Sequence, residues 1–391
     1  MNTFKFYNIF LLALLLISCG KETTKENEPQ LLVVDLMADP DKKVVNDFFN
    51  RMKIRLMPLE TGDDLLFNGK NSHLYVYKNE LFVADGGQNI IFRYDHSGKL
   101  INKINRLGQG PEEYIYLGNI AFANDLLYVR DKAKLQVYDF EGKYVRTIPI
   151  VANGDIAVRE DGAIVALSNY KNPYQVTVYD ENGNKIYEGA PSLEKLKQFK
   201  YSRSNYYTLR KSETGKGYYF TNYFDSHIYL LEDTVRVFAT LDFKEKSIPA
   251  DYLSGTINEI SKNWEKDQSN DKFIFELSDL IITKDWITFC PPLREPKIGV
   301  YYDRKNDICI TNKSFEGIYN VLLGGYDVPD GFNFSSEEFY KLVNTAALKE
   351  AITELAQDDP NYQENYPFLK GIDYQTIDEE ANDWVMFFSL N

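Results

Sequence analysis

The sequence predicts an all-β protein, specifically a β-propeller in which small four-stranded sheets form a ring. Three observations lead to this fold class: a turn that occurs three times, a spacing of about forty residues between copies, and short apolar segments around each copy. The turn reads YDHSGK at 94–99, YDFEGK at 138–143 and YDENGNK at 179–185, and its aspartates are 44 and 41 positions apart. A repeat of this length with four short strands is typical of one propeller blade.

Strand-like segments predict the individual blades. Blades one to three are predicted from segments 74–77, 81–85, 90–94 and 100–104, then 120–123, 126–131, 135–138 and 144–148, then 156, 164–167, 175–179 and 186. Blades four to six follow less regular segments: 206–243, then 273–277, 286–290, 298–303 and 308–311, then a start near 317–319. Aspartate and glycine favour tight turns, so each YD turn is interpreted as a hairpin within its blade.

Two segments carry a helical pattern and are predicted to cover an edge or rim of the propeller. Near 250–270, Asp251 is the predicted helix cap, and near 335–357, Ser335 and Glu338 form the predicted capping box. The apolar residues at helical spacing are Leu253, Ile257, Ile260 and Trp264 in the first segment, and Phe339, Leu342, Ala346 and Leu355 in the second.

The two ends of the chain are predicted to share a blade, because an open propeller would leave unpaired strand edges. The segments expected to pair are 54–56 and 384–388. No linker rich in proline, glycine or serine divides the chain, so residues 31–391 are predicted to form a single domain.

The N-terminus has the features of a bacterial lipoprotein signal. Lys5 precedes an apolar run at 9–17, and LISC follows at 16–19. The run is too short to span a bilayer, so residues 1–18 are predicted to be removed and Cys19 to be lipidated. Residues 19–30 are charged and nearly without apolar side chains, which predicts a flexible tether. In the alternative, the protein is secreted in soluble form and Cys19 merely lies near a cleavage site.

The net charge of the protein narrows the classes of possible partner. The net charge of −14 becomes −15 when residues 1–18 are removed, with 43 basic against 58 acidic side chains. Nucleic acid is therefore excluded as an expected partner, whereas a glycan, a peptide or an envelope protein remains possible.

Cys290 and Cys309 flank the predicted strand at 298–303, which separates them by about 9.6 Å. That distance exceeds disulfide reach, so both are expected to be buried thiols.

A glycine-rich motif lies between the first two repeats and comprises Gly108, Gly110, Pro111, Glu112 and Glu113 within GQGPEEY. No Gly-Lys-Ser/Thr follows, and Pro111 lacks the amide donor that a phosphate loop needs, so the motif predicts a structural turn between blades. Either glutamate can accept hydrogen bonds from nearby backbone amides.

The motif resembles the Gly-x-Gly-Pro-x-Glu-aromatic signature of six-bladed, TolB-like propeller lipoproteins of Bacteroidota, and PLET at 58–61 resembles the same family upstream. The resemblance extends over most of the chain from about residue 31. It implies six blades, with seven as the alternative, and an outer-membrane location that is compatible with exposure at the cell surface. The resemblance implies no catalytic residues in this sequence.

Two hypotheses for function follow. In the first, the anchored propeller is a non-catalytic binding or scaffold module that acts through the mouth of its channel and needs no cofactor. In the second, it is a metal-assisted hydrolase or lyase in which channel acids hold Ca²⁺. Asp85 and Asp131 are the candidate acids because they follow strands at equivalent positions; alternatively they cap their own turns. Converging carboxylate or amide oxygens would favour the enzyme, and an aromatic or apolar mouth the binder.

Other catalytic and binding features are sparse. The imidazole bases are His73, His96 and His227, and no Gly-x-Ser-x-Gly elbow or histidine metal pair accompanies them. One stretch is crowded with aromatic residues, which predicts either core packing or a platform for a sugar or peptide. Its members are Tyr201, Tyr206, Tyr207, Tyr218, Tyr219, Tyr223 and Phe224.

Overall fold

The computed structural model describes residues 29–38, 40–168, 171–199, 208–293, 298–324 and 328–390. Cys19, Tyr201, Tyr206 and Tyr207 lie outside the described residues. The strands are β1 (Gln30–Val33), β2 (Met52–Pro58), β3 (Ser72–Tyr77), β4 (Glu80–Asp85), β5 (Ile90–Tyr94), β6 (Leu100–Ile104), β7 (Ile120–Ala123), β8 (Leu126–Asp131), β9 (Lys134–Asp139), β10 (Tyr144–Pro149), β11 (Ile156–Val158), β12 (Ile164–Leu167), β13 (Tyr174–Tyr179), β14 (Lys185–Pro191), β15 (Arg210–Lys211), β16 (Tyr218–Thr221), β17 (His227–Leu231), β18 (Val235–Asp242), β19 (Ser278–Ile282), β20 (Trp286–Cys290), β21 (Val300–Asp303), β22 (Ile308–Thr311), β23 (Gly331–Asn333), β24 (Glu338–Val343) and β25 (Trp384–Leu390). The helices are α1 (Lys42–Arg51), α2 (Ile257–Ser269), α3 (Gly317–Leu323), α4 (Thr345–Asp358) and α5 (Tyr362–Asn365), and short 3₁₀ turns lie at Gly69–Asn71, Leu196–Gln198, Lys244–Lys246, Asn312–Ser314, Pro367–Leu369 and Tyr374–Thr376.

These strands form the six blades of a propeller, which confirms the predicted fold class and the count of six. Blades one, two, three and five are β3 to β6, β7 to β10, β11 to β14 and β19 to β22, each in chain order. Blade four is β15 to β18, and β1 adds to the outer edge of β18 as a parallel fifth strand. Blade six combines β23, β24 and β25 with β2 from the other end of the chain.

The closure of the ring is as predicted. β2 pairs antiparallel with β25 over their full length, from Met52 opposite Leu390 to Pro58 opposite Trp384. The last blade is therefore completed by a strand from the N-terminal part of the chain. This pairing gives β25 hydrogen-bonded neighbours on both sides, since β24 lies along its other edge.

The three YD turns are hairpins between the third and fourth strands of blades one to three. In blade one, Asp95 accepts hydrogen bonds from the amides of Ser97 and Lys99, at 2.8 and 3.1 Å. Gly98 has a φ of +83°, and a Cβ at this position would lie 2.3 Å from the carbonyl oxygen of Pro58. Glycine is therefore required both by its backbone conformation and by the close approach of β2. Asp139 and Asp180 accept the equivalent bonds in blades two and three.

The helical segments begin later than the sequence predicts. Thr256 rather than Asp251 caps α2, in a capping box with Glu259. The capping box assigned to Ser335 and Glu338 is wrong, because Glu338 is the first residue of β24 and Asn344 caps α4. The apolar residues of this segment are spaced as in either a helix or a strand. Pairing with β25 makes Glu338–Val343 a strand.

Two strand predictions are also wrong. Segment 273–277 is not a strand, and blade five begins with β19; Phe275 instead packs in an apolar cluster with Trp264 of α2. Segment 317–319 begins α3, and blade six begins later, with β23. The sequence patterns also did not predict α1, whose Phe48 is fully buried against blade five and α3.

Cys290 and Cys309 lie on β20 and β22, with β21 between them, and they form no disulfide, as predicted. Cys290 is buried and Cys309 is half-buried. Burial raises the pKa of the Cys309 thiol to about 12. None of the helices formed by the described residues is long and apolar enough to cross a membrane.

Candidate functional site

The six blades enclose a central channel with a cavity of about 470 Å³. Its wall contains residues from the first strand of every blade, namely β3, β7, β11, β15, β19 and β23. We call the end where these strands begin the front mouth and the end where they finish the back mouth. A pocket of this size at the centre of the fold is the natural candidate for a binding site.

The front mouth is polar and is held together by a buried aspartate. Asp155 is 3% exposed, and it accepts hydrogen bonds from the side-chain amide of Asn119 at 2.6 Å and from the backbone amides of Thr208 and Leu209 at 2.7 and 3.1 Å. Asn119 in turn accepts a bond from Arg130 at 3.2 Å. This network connects blades two, three and four around the channel.

The middle of the channel contains tyrosines that reach from one blade to the next. Tyr75 of blade one lies near the backbone of Ile120 in blade two, and Tyr340 of blade six lies near the backbone of Val76 in blade one. Burial raises the pKa of both hydroxyls, to about 12 for Tyr340. Both side chains are therefore neutral at pH 7.

His73 and Arg210 face the same cavity. Burial, and secondarily the positive charge of Arg210, lower the pKa of His73 to about 4. His73 is consequently neutral at pH 7, and Arg210 carries the positive charge in this part of the wall.

The back mouth is aromatic. Tyr77 and Phe122 stack at 5.4 Å between ring centroids on blades one and two, and Phe332 and Phe334 form an edge-on pair at 5.0 Å on blade six. All four line the channel, and Phe334 remains 38% exposed. The channel thus has a polar front mouth and a back mouth in which these rings lie beside the charged side chains of Lys78, Glu160 and Lys211.

Asp85 and Asp131 lie at the ends of the second strands β4 and β8, one strand outward from those that line the channel. Asp85 is fully buried and accepts bonds from the amides of Gly87, Gln88 and Asn68 at 2.8 to 3.0 Å. Asp131 accepts a bond from the amide of Ile115 at 3.2 Å. These contacts hold the adjoining loops, and the carboxylates that line the channel belong to other residues: Asp155, Glu160, Asp279 and Asp330.

The glycine-rich motif forms the connection from blade one to blade two. The amide of Gly110 donates to the carboxylate of Glu113 at 2.8 Å, and a Cβ on Gly108 would lie 1.9 Å from that carboxylate. Side chains of β9 in blade two bond to the backbone of this loop. Gln136 donates to the carbonyl oxygens of Pro111 and Glu113, and Tyr138 donates to that of Glu112.

The described members of the aromatic stretch are core residues: Tyr218, Tyr219, Tyr223 and Phe224 are at most 9% exposed. His96 lies in the first YD turn, away from the channel. His227 contacts Asp225 through Nδ1 on blade four, and Tyr229 donates to the other oxygen of that carboxylate at 2.5 Å.

Among the described residues, no three His, Cys, Asp or Glu side chains come together closely enough to hold a metal ion. The aromatic back mouth is the feature that the sequence hypotheses associated with a binder. Sequence reasoning missed Asp155, Arg210 and Tyr340. Their positions in the blades could have identified them as channel residues. Asp155 lies just before the first strand of its blade, Arg210 lies on the first strand, and Tyr340 pairs with the first strand β23.

Comparisons with known proteins place the chain in a family. The family described as a domain of unknown function, DUF4934, matches residues 31–389. The chain belongs to the DUF4934 family. A comparison with proteins of curated function found no match. The TolB-like relationship and the lipid anchor stay predictions for this DUF4934 member.

Two solved structures share the fold of this DUF4934 chain. A putative exported protein of Bacteroides fragilis has a TM-score of 0.71 at 17% identity, covering 93% of this chain and 100% of its own. A DUF4221 family member from Bacteroides vulgatus has a TM-score of 0.50 at 10% identity, covering 87% and 96%. At these identities the likeness establishes the architecture only.

Proposed function

We propose that this DUF4934 protein is an envelope-anchored lipoprotein whose propeller binds a ligand in its central channel without catalysing a reaction. The observation that carries the proposal is the channel itself, a cavity of about 470 Å³ with a polar front mouth and an aromatic back mouth. Such a combination suits recognition, because aromatic rings supply contact area and a few fixed polar groups supply orientation.

Rigidity of the wall also supports binding. Asp155 of blade three accepts hydrogen bonds from blades two and four, and Tyr75 and Tyr340 lie near the backbone of the next blade. A preorganised wall loses little conformational entropy when a ligand enters.

The predicted lipoprotein signal at residues 1–19 supports the proposed envelope location. The similarity in fold to a putative exported protein of Bacteroides fragilis is in keeping with export. The ligand reaches the channel from the periplasm or from outside the cell, according to the side of the membrane on which the anchor lies.

Phe334→Ala is expected to weaken the binding of channel ligands by about tenfold, because it removes an exposed ring from the back mouth. The measurement is a screen of the full-length protein against neutral oligosaccharides and short peptides by thermal shift, followed by calorimetric titration of the probes that bind. Tyr174→Ala is the matched control, since Tyr174 is 37% exposed on β13, outside the channel. Unchanged affinities for every binding probe in Phe334→Ala would contradict a channel site.

Cys19→Ala is expected to move the protein from the membrane fraction to the soluble fraction. Each buried CH₂ of an acyl chain contributes about 0.8 kcal/mol to membrane binding, so loss of lipidation removes the anchor. Fractionation and fatty-acid labelling provide the measurement, and Cys309→Ala serves as a control that retains the lipidation site. Undiminished labelling and pelleting of Cys19→Ala would show that the anchor lies elsewhere.

A further inference from the structure

Arg210 is a cation inside the channel whose hydrogen-bonding capacity is only partly used by the described residues. It belongs to β15, the two-residue first strand of blade four, and lines the cavity with His73 and Tyr75. Its Nε atom is buried without a hydrogen-bond partner among the described residues. The hydrogen bond from its Nη1 to the Leu209 carbonyl oxygen is long, at 3.4 Å.

A guanidinium in this state is suited to an anion. It presents several N–H donors in one plane, and a carboxylate accepts two of them side by side. Leaving such donors without acceptors in a partly buried place costs free energy, which a bound carboxylate would recover.

The groups around Arg210 are compatible with this role. His73 is neutral at pH 7 and adds no competing charge. Tyr75 and Tyr340 line the same cavity as neutral phenols, and a phenol hydroxyl can donate a hydrogen bond to a carboxylate. The aromatic rings of the back mouth lie in the same cavity and offer an apolar surface.

We propose that the channel binds a small molecule that has one carboxylate next to an apolar body, with the carboxylate on Arg210 and the body toward the aromatic back mouth. This inference rests on the proposed function and assigns its ligand a chemical class. The negative net charge of the protein does not prevent binding, because surface charges are screened over about 8 Å at physiological ionic strength.

The same wall limits the ligand to one negative charge. Asp155, Asp279 and Asp330 line the cavity together with Arg210. A second carboxylate on the ligand would lie near these acids, and the other described cations of the wall, Lys78 and Lys211, are already ion-paired with Asp125 and Glu160. A monoanion is therefore preferred over a dianion.

The test uses three matched probes on the full-length protein by isothermal titration calorimetry at neutral pH. Phenylacetate carries one carboxylate and an aromatic ring, phenylacetamide is its neutral counterpart, and phenylmalonate adds a second carboxylate. Phenylacetate is expected to bind at least about tenfold more tightly than either of the others, which corresponds to one charge-assisted pair. Arg210→Gln should remove this advantage. Arg236→Gln, on the outer strand of the same blade with an exposed ion pair to Glu232, should leave it intact.

Equal binding of phenylacetate and phenylacetamide, absence of phenylacetate binding, or an unchanged preference in Arg210→Gln would overturn the inference. These results would leave the proposed function standing if Phe334→Ala weakens the neutral probes. Conversely, a phenylacetate preference that is lost in Arg210→Gln supports the inference. Retained thermal stability of Arg210→Gln, compared with wild type, establishes that the loss reflects the site and not unfolding.

Discussion

Phe48→Ala is expected to lower the free energy of unfolding by about 3–5 kcal/mol, the range for a fully buried phenylalanine. Phe48 is 0% exposed, and its ring lies 5.6 Å from Trp286, 5.5 Å from Tyr301 and 5.7 Å from Phe315. These partners belong to blade five and the segment before α3. Truncation would leave a cavity that the rigid blade cannot collapse to fill. Urea unfolding monitored by circular dichroism measures the effect.

Phe49→Ala is the matched control in the same helix. Phe49 is only half-buried and stacks on Tyr319 at 3.9 Å between centroids, so its truncation should cost clearly less. Both changes have the same effect on helix propensity, so the difference between them reports packing alone. Equal losses in the two variants would mean that α1 does not pack on blade five as described.

Asn382→Ala is expected to lower the free energy of unfolding by about 3 kcal/mol, since it removes one buried and two partly buried hydrogen bonds at once. Asn382 is 3% exposed and connects the two ends of the ring. Its side chain accepts from the amide of Phe67 at 3.0 Å and donates to the carbonyl oxygens of Glu60 and Leu65 at 3.0 and 2.9 Å. Without it, these backbone groups lose their partners where the chain ends meet.

The chemistry of this contact can be separated from its size. Asn382→Asp keeps the shape and the acceptor for Phe67 but turns the donor into an acceptor that faces two carbonyl oxygens, so it should destabilise at least as much as alanine. Asn365→Ala is the control, because Asn365 is exposed and its side chain, among the described residues, bonds only to that of Asp359. Thermal unfolding of the three variants provides the comparison. Stability of Asn382→Asp equal to wild type would rule out the donor role of the amide.

Local patterns were informative because their causes are local. The YD turns needed an aspartate to accept amides two and four residues away and a glycine with positive φ, and both requirements are visible in a six-residue window. The same holds for the alternating strands of blades one to three. The prediction of a capping box at Ser335 and Glu338 was wrong. The apolar spacing there is compatible with a helix or a strand, and pairing with β25, which lies far along the chain, makes it a strand.

The candidate site could not be predicted in the same way. Asp85 and Asp155 are both buried aspartates next to strands, yet one holds its own loop and the other lines the channel. The difference is that the donors to Asp155 at Thr208 and Leu209 come from another blade, more than fifty positions away. Arg210 lies in a two-residue strand without a recognisable pattern.

The sequence by itself determined the repeating hairpins, the meeting of the chain ends and the charge of the protein, since these depend on residue type and short spacing, and the family resemblance supplied the count of six blades. Only the tertiary structure decided which strand of each blade faces the channel and which polar side chains meet there. Most strands contain apolar residues and are partly buried, whichever their place in the blade, and their order from centre to rim is set by the closure of the ring. The position of Arg210 in the channel wall is a consequence of that closure.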